Sequence, residues 1–181
     1  MSPEGTMATV SFNWGRQAAQ SRIGHDNMST YTSLTYHVIF STKFRKPHIV
    51  ESVREDLYSY IGGIIRGEKG SLLEIGGIED HIHILASFSP TIAVSDMLKR
   101  IKGKSSKWIN EERKTTSRFG WQAGYGAFTV NQSQIPDVRR YIQGQVEHHK
   151  TLSFEDEFLA ILKRHNIEYD PKYVFETEHV V

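Results

Sequence analysis

The chain has 181 residues, 38% of them hydrophobic, with a formal net charge of +1 and no cysteine. This length suits one domain with a sizeable core, and no apolar run approaches the roughly 18 residues of a membrane-spanning helix, so we expect no membrane contact. The lack of cysteine excludes disulfides and thiolate metal sites and fits a cytoplasmic protein. Nine histidines are many for this length, so histidine is the expected ligand of any metal site.

The first segment differs from the rest of the chain. Residues 1–29 carry scattered Gly, Ser, Gln and Asn without a sustained hydrophobic period, and we expect a disordered leader. The domain is predicted over residues 30–170, followed by a C-terminal tail over 171–181.

Strand and helix signals alternate along this domain. Strands are predicted where aromatic and β-branched residues cluster or polar and apolar residues alternate, and helices where apolar residues recur at three and four positions. In chain order these are a strand over 31–42, a helix over 51–69, strands over 72–78 and 81–88, a helix opening at Ser89-Pro90, and a strand over 127–130. This β-α-β-β-α-β order predicts an α+β fold, a ferredoxin-like sheet with helices on one face. Further helices are predicted from Pro136 and over 153–165.

His81-Ile82-His83 lies in the third predicted strand. Alternation places both imidazoles on one face, roughly 6.6 Å apart at the backbone, which lets both rings bind one metal ion. The opposite face is an apolar stripe that we expect to pack against helices, formed by Ile82, Ile84, Ala86 and Phe88. The alternative is a chance pair of ordinary strand histidines.

The predicted helix from Pro136 to Lys150 carries a second polar set. Positions i, i+4 and i+7 on one face are Tyr141, Gln145 and His148. Apolar residues on the neighbouring face are expected to anchor the helix: Val138, Ile142 and Val146. The alternative is a solvated polar face. Two imidazoles and the amide oxygen of Gln145 together make a three-ligand site suited to Mg²⁺ or Mn²⁺ bridging a phosphate, which the Tyr141 hydroxyl then attacks.

Five segments occur in a distinctive order between about residues 30 and 165: Tyr36-His37-Val38-Ile39-Phe40-Ser41-Thr42-Lys43, Glu79-Asp80-His81-Ile82-His83-Ile84-Leu85, Lys102-Gly103-Lys104-Ser105-Ser106, Trp121-Gln122-Ala123-Gly124-Tyr125-Gly126 and Tyr141-Ile142-Gln143-Gly144-Gln145-Val146-Glu147-His148-His149. In these segments the chain resembles the single-tyrosine HUH transposases, small enzymes of bacterial insertion sequences that move as single-stranded DNA, and their repeat-associated relatives.

The resemblance implies a role for each matching residue. His81 and His83 match the metal-binding histidines, Gln145 matches the residue that completes metal coordination, and Tyr141, on its C-terminal helix, matches the nucleophile. It also implies a homodimer whose active sites can be shared between subunits, recognition of a DNA hairpin near the element end, and a 5′-phosphotyrosine intermediate. For His148 and His149, helix packing or DNA contact is favoured over ligation.

Basic residues suggest a DNA-binding surface. Residues 99–118 carry eight against two glutamates, a local charge of +6: Lys99, Arg100, Lys102, Lys104, Lys107, Arg113, Lys114 and Arg118. Such a patch follows a phosphate backbone, and Lys43, Arg45 and Lys46 extend it. Three aromatic residues either stack on unpaired bases or pack inside: Trp121, Tyr125 and Phe128. The alternative for the charge run is a solvated helix face.

Two other functions fit the same residues. A domesticated relative would apply the same chemistry to hairpins of chromosomal repeats. A catalytically silent hairpin binder or regulator belongs to another class, but it has no need of the full set His81, His83, Tyr141 and Gln145.

Overall fold

The structure is a computed structural model that describes residues 30–112, 115 and 117–175. The predicted disordered leader lies outside these residues, and the domain bounds 30–170 stay a prediction. In chain order the elements are β1 (Thr35–Ser41), α1 (Glu51–Gly67), β2 (Ser71–Gly77), β3 (His81–Ser87), α2 (Val94–Glu111), β4 (Gly126–Thr129), α3 (Ile135–Gln143), α4 (Gln145–His148), α5 (Phe154–Arg164) and α6 (Pro171–Val174). None of the described helices combines the length and the apolar run that crossing a bilayer requires.

The four strands form one antiparallel sheet in the order β2-β3-β1-β4. This is the sheet order of the ferredoxin-like arrangement, so the predicted fold class is confirmed. The central pair β1 and β3 sets the register of the site, with Ser41 opposite His81 and Ile39 opposite His83. Hydrogen bonding to β1 on one side and β2 on the other fixes β3 in place.

One face of the sheet carries the main apolar core. Val38 and Phe40 of β1 and Ile82 and Ile84 of β3 pack there against α1 and α2. The apolar stripe predicted on β3 therefore lies in this core. Ser105 of α2 is buried in the same layer, where its hydroxyl accepts a hydrogen bond from the Trp121 indole (2.9 Å).

The opposite face of the sheet is covered by the later helices. Leu85 packs against Ile142 of α3, and Ile39 packs in a cluster with Phe154 of α5. Because β3 alternates, His81 and His83 point to this second face together with Leu85. The histidine pair is therefore enclosed between the sheet and the C-terminal helices.

The predicted continuous helix over 136–150 is wrong. It breaks at Gly144, where α3 ends and α4 begins. The predicted anchoring role of Val146 is also wrong, because its side chain is 56% exposed. The break interrupts the helical period, so that the position one turn after Ile142 faces solvent and Gln145 becomes buried.

The second crossover helix also begins later than predicted. The structure starts α2 at Val94 instead of Ser89-Pro90. The Ser89 hydroxyl accepts a hydrogen bond from the Thr91 backbone N–H and contacts the Thr91 hydroxyl (2.8 Å). These side-chain contacts hold a turn in place of the first helical turn.

Helix α3 packs closely against the sheet at Gly76, and a substitution there tests this contact. A Cβ at Gly76 would lie 2.7 Å from the Ile142 carbonyl oxygen. Gly76→Ala is expected to lower the free energy of unfolding by about 1–3 kcal/mol, because α3 must move away from β2. Urea denaturation measures this change.

The matched control is Gly103→Ala in α2, where a Cβ meets no atom within 4 Å. It is expected to raise the free energy of unfolding by about 1 kcal/mol, since alanine is the better helix former. Equal effects of the two substitutions would contradict the close approach at Gly76.

Candidate functional site

The two histidines of β3 form the floor of the site. Both side chains are fully buried. The Nδ1 atom of His81 lies 2.7 Å from the Asp80 carboxylate, and that of His83 lies 3.0 Å from Nε2 of His37. Such contacts to Nδ1 orient a ring and leave its Nε2 for a ligand. The structure thus brings together the predicted histidine pair with supporting residues that were not predicted.

Helix α4 adds an amide, and the residue directly after it adds a third imidazole. The Gln145 Oε1 atom lies 3.3 Å from Nε2 of His81 and 3.0 Å from Nε2 of His149. The Nδ1–H of His149 is directed at the Leu152 carbonyl oxygen at 2.8 Å, so its Nε2 also turns inward. Helix packing or DNA contact is the predicted role of His149. The structure places this ring in one cluster with His81 and His83, where it could also bind a metal ion.

Helix α5 contributes a buried carboxylate, Glu157, which was not among the predicted site residues. Its Oε2 lies 3.2 Å from Nε2 of His149, 3.3 Å from that of His83 and 3.8 Å from that of His81. Its Oε1 accepts a hydrogen bond from the Gln145 amide at 2.9 Å. Each carboxylate oxygen therefore faces a different part of the site.

A signal for Glu157 does exist in the sequence. Glu157 lies three residues after Phe154 and four before Ile161, both of which are buried in α5. A carboxylate on the apolar stripe of an amphipathic helix is rarely buried without a partner. That pattern could have identified Glu157 as a site residue.

The arrangement fits a divalent metal ion. Donor atoms of four residues lie within 4.8 Å of one another: His81, His83, His149 and Glu157. We call the three histidines the histidine group, and all four residues the donor group. Among the described residues, Nε2 of His83 has no hydrogen-bond partner of acceptable geometry, although the Glu157 carboxylate is close. A buried imidazole nitrogen without a hydrogen bond, facing a carboxylate, suits coordination of an ion.

Tyr141 of α3 lies at the edge of this group. Its hydroxyl donates a hydrogen bond to Oε1 of Glu157. Its ring centroid is 5.8 Å from that of His83 and 5.3 Å from that of His148. The predicted set of Tyr141, Gln145 and His148 therefore does converge, although a broken helix carries it.

Burial controls the charges at the site. Burial, followed by the nearby His83, lowers the pKa of His37 to about 3. Burial lowers the pKa of His83 to about 4, against the opposing effect of Glu157. Both imidazoles are therefore neutral near pH 7, so that each ring has a nitrogen lone pair.

The pKa values of the Glu157 carboxyl and the Tyr141 phenol are shifted in opposite directions. Burial alone would raise the pKa of Glu157, but the contact with His83 and the hydrogen bonds from Tyr141 and Gln145 lower it below its ordinary value. Burial, and then the bond to Glu157, raise the pKa of Tyr141 above its ordinary value. The pair is thus an ionised carboxylate beside a neutral phenol.

The predicted DNA-binding residues separate into several groups. Lys43, Lys46 and Lys107 line one surface cavity of about 920 Å³ together with Arg118. Lys99 and Lys102 line a second cavity, of about 350 Å³. The Lys102 ammonium donates to the Ala123 and Gly124 carbonyls at 3.0 and 2.9 Å. The other predicted basic residues, Arg45, Arg100 and Lys104, line neither cavity.

Ion pairs involve three of these other residues. Arg45 pairs with Glu155, and Arg100 and Lys104 both contact Glu68, the latter at 3.7 Å. Arg113 and Lys114 lie outside the part of the chain that the structure describes. Part of the run of positive charge is therefore paired with carboxylates of other elements.

The three predicted aromatic residues also differ. Trp121 and Phe128 are buried, at 9% and 3% exposure, whereas Tyr125 is 42% exposed. Trp121 packs edge-on against Phe40, and Phe128 stacks on His165. For Trp121 and Phe128 the structure favours packing over base stacking.

Residues 30–145 match a protein-family model described as "Transposase IS200 like". Two similar proteins are the transposase for insertion sequence element IS200 of Salmonella typhimurium and the ISDra2 transposase TnpA of Deinococcus radiodurans. The first is 31% identical over 120 residues, which cover 64% of this chain and 78% of that protein. The second is 26% identical over 117 residues, covering 62% and 84%. The chain belongs to the IS200-like transposase family, a membership that implies cutting and transfer of DNA strands.

Two solved structures share the fold. A putative transposase from Deinococcus radiodurans R1 has a TM-score of 0.53 and 23% identity, covering 67% of this chain and 97% of that one. A REP-associated tyrosine transposase bound to a REP hairpin also has a TM-score of 0.53, with 14% identity and 69% and 76% coverage. At these identities the likeness concerns the fold.

The buried histidines predict how stability depends on pH in metal-free protein. The folded-state pKa of His37 and His83 lies below the unfolded value, so only the unfolded chain takes up these protons. Stability is therefore full above about pH 6.5 and falls as the pH is lowered toward about 4. Each group contributes a slope of about 1.4 kcal/mol per pH unit. Urea denaturation in EDTA between about pH 7 and pH 5 measures the slope.

The substitution His37→Gln is expected to reduce this slope by about 1.4 kcal/mol per pH unit. An identical slope in wild type and His37→Gln would show that His37 is not held neutral by the fold.

Proposed function

We propose that this transposase cleaves and rejoins single-stranded DNA at hairpin-bearing element ends through a phosphotyrosine formed on Tyr141. The observation that carries this proposal is that the Tyr141 hydroxyl is hydrogen-bonded to the same carboxylate that contacts the histidine group. A phenol positioned next to a candidate metal site has the parts needed for nucleophilic attack on phosphorus. We place this activity in the cytoplasm.

The proposed reaction exchanges one phosphate ester for another. The Tyr141 oxygen attacks the phosphorus, a phosphorus–oxygen bond to tyrosine forms, and the bond to the 3′-oxygen breaks. The phenol loses its proton, and the departing 3′-oxygen gains one. The product is a 5′-phosphotyrosine and a free 3′-hydroxyl, and attack by a 3′-hydroxyl reverses the step.

His81, His83 and Gln145 are the proposed metal ligands. A bound Mg²⁺ or Mn²⁺ supplies a Lewis acid that polarises the scissile phosphate. Asp80 and His37 orient the two rings through their Nδ1 atoms. Because imidazole nitrogen suits transition ions better than Mg²⁺, we expect Mn²⁺ to bind more tightly than Mg²⁺.

The cavity lined by Lys43, Lys46 and Lys107 is the proposed path of the DNA backbone. It lies where β1 ends, and the first residue after β1, Thr42, donates its backbone N–H to the Asp80 carbonyl (2.8 Å). Asp80 in turn contacts His81. DNA held by the lysines is therefore near the strand that carries the histidine pair.

The hairpin and the dimer belong to the same proposal. The structural neighbour with a bound REP hairpin supports a hairpin substrate. We further propose a homodimer. The contact between Tyr141 and Glu157 within one chain supports active sites in which the histidines and the tyrosine come from the same subunit.

Covalent trapping tests the nucleophile. Wild-type protein mixed with a single-stranded hairpin oligonucleotide from the element end and Mn²⁺ is expected to form a protein–DNA adduct that survives denaturing electrophoresis. Tyr141→Phe lacks the attacking oxygen and His81→Ala lacks a metal ligand, so both are expected to form none.

Tyr60→Phe is the matched control, because Tyr60 stacks on Trp108 in the core on the α1 and α2 side of the sheet, and it should form the adduct normally. A mixture of Tyr141→Phe and His81→Ala chains is expected to stay inactive, since each chain supplies a complete site or none. An adduct that persists in Tyr141→Phe would refute the assignment, and hairpin binding without any adduct would favour the silent binder.

Salt dependence tests the proposed DNA path. Replacing Lys43, Lys46 and Lys107 together by alanine is expected to reduce the slope of log affinity against log salt by about 2, at about 0.7 per lost phosphate contact on a single strand. Fluorescence anisotropy with a labelled oligonucleotide measures the slope. Lys163→Ala, an exposed lysine on α5, should leave it unchanged, and equal slopes in all three proteins would rule this path out.

A further inference from the structure

The proposed metal ligands carry no negative charge. Two neutral imidazoles and one neutral amide would hold a divalent cation in a region where His81 and His83 are completely buried. A buried charge without a nearby counter-charge is strongly unfavourable. Until DNA supplies a phosphate, the site therefore needs an anion from the protein close to the ion.

Glu157 is the acidic member of the donor group. It lies in the first turn of α5, where the helix dipole favours a carboxylate. Its helix is fixed to the sheet by Phe154 and Ile161, which pack around Ile39. The carboxylate is thus held in position by apolar packing on both sides of it.

The two oxygens of this carboxylate face different groups. Oε2 lies 3.2–3.8 Å from the Nε2 atoms of His81, His83 and His149. Oε1 accepts hydrogen bonds from the Tyr141 hydroxyl and the Gln145 amide. One oxygen is therefore directed at the histidine group while the other is occupied by Tyr141.

We propose that Glu157 is a metal ligand through Oε2 and positions Tyr141 through Oε1, so that α5 completes the active site. His149 joins the same ligand set through Nε2. Both residues lie beyond residues 30–145, the part of the chain that matches the family model. The role given to Tyr141 rests on the proposed function, whereas the metal-binding role of Glu157 does not.

The arrangement joins the metal to the nucleophile through one side chain. A carboxylate that binds the ion becomes less mobile, and the phenol hydrogen-bonded to it becomes less mobile as well. Gln145 strengthens the link, because its Oε1 faces His81 and His149 while its amide donates to Glu157. Tyr141 is thereby positioned with respect to the metal before DNA arrives.

Metal titration without DNA tests the proposal. The protein is titrated with Mn²⁺ by calorimetry, with free Mn²⁺ followed in parallel by electron paramagnetic resonance. Wild type is expected to bind one Mn²⁺ per chain. Glu157→Gln keeps the size of the side chain and an acceptor for Tyr141 but removes the charge, and we expect its affinity to fall at least about tenfold.

Two further variants complete the test. Glu155→Gln removes a carboxylate on the same helix that pairs with Arg45 at the surface, and its Mn²⁺ affinity should stay within about twofold of wild type. His149→Ala is expected to lose affinity as Glu157→Gln does.

A structural role for Glu157 gives a different result. It would change the melting temperature of metal-free protein but not the upward shift that Mn²⁺ causes, whereas a ligand role predicts that Glu157→Gln loses this shift. Wild-type affinity in Glu157→Gln, or a wild type that binds no Mn²⁺, overturns the proposal. Failure of the Tyr141 adduct with intact Glu157-dependent binding would instead refute the proposed function alone.

Discussion

The contact between the Glu157 carboxylate and the histidines of β3 is the interaction on which the site depends. It joins a strand in the first half of the chain to a helix near its end, and the Tyr141 hydroxyl bonds to the same group. An ionised carboxylate in a buried position is tolerated only with several polar partners. Here two hydrogen bonds and the nearby imidazoles provide them, so removing any partner disturbs the others.

The sheet can support this polar layer because its other face is apolar. Alternation along β1 and β3 sends Val38, Phe40, Ile82 and Ile84 toward α1 and α2, where all four are almost completely buried. Each such side chain contributes about 1.5–3 kcal/mol by leaving water. The first two helices therefore stabilise the fold, which leaves the second face available for neutral histidines, an amide and a carboxylate.

The sequence was most informative where a single local period decides the structure. The two-residue alternation of His81-Ile82-His83 correctly placed both rings on one face, and helical spacing correctly indicated that Ile142 is buried. It was least informative at Gly144, where one residue ends a helix and exposes Val146. Whether a glycine breaks a helix depends on the sheet beneath it, which the local sequence does not contain.

Local sequence patterns also could not predict the tertiary contacts of the site. Glu157 reaches the histidine pair because α5 packs across Ile39, a contact between residues far apart in the chain. The same limit applies to the run of positive charge, because its ion pairs join residues that are far apart in the chain. Arg100 and Lys104 share Glu68, because residues four positions apart lie on the same face of a helix.

The loop after β1 connects the basic cavity with the histidines. Phe44 and Arg45 have φ values of 57° and 50°, a left-handed conformation that costs residues with a Cβ about 1–3 kcal/mol each. The Thr42 hydroxyl holds this loop, donating toward the Lys46 carbonyl at 2.7 Å and the Asp80 carbonyl at 3.2 Å. The Asp80 carboxylate orients His81. The strained loop that lines the cavity is therefore held by Asp80, the same residue that orients the proposed metal ligand His81.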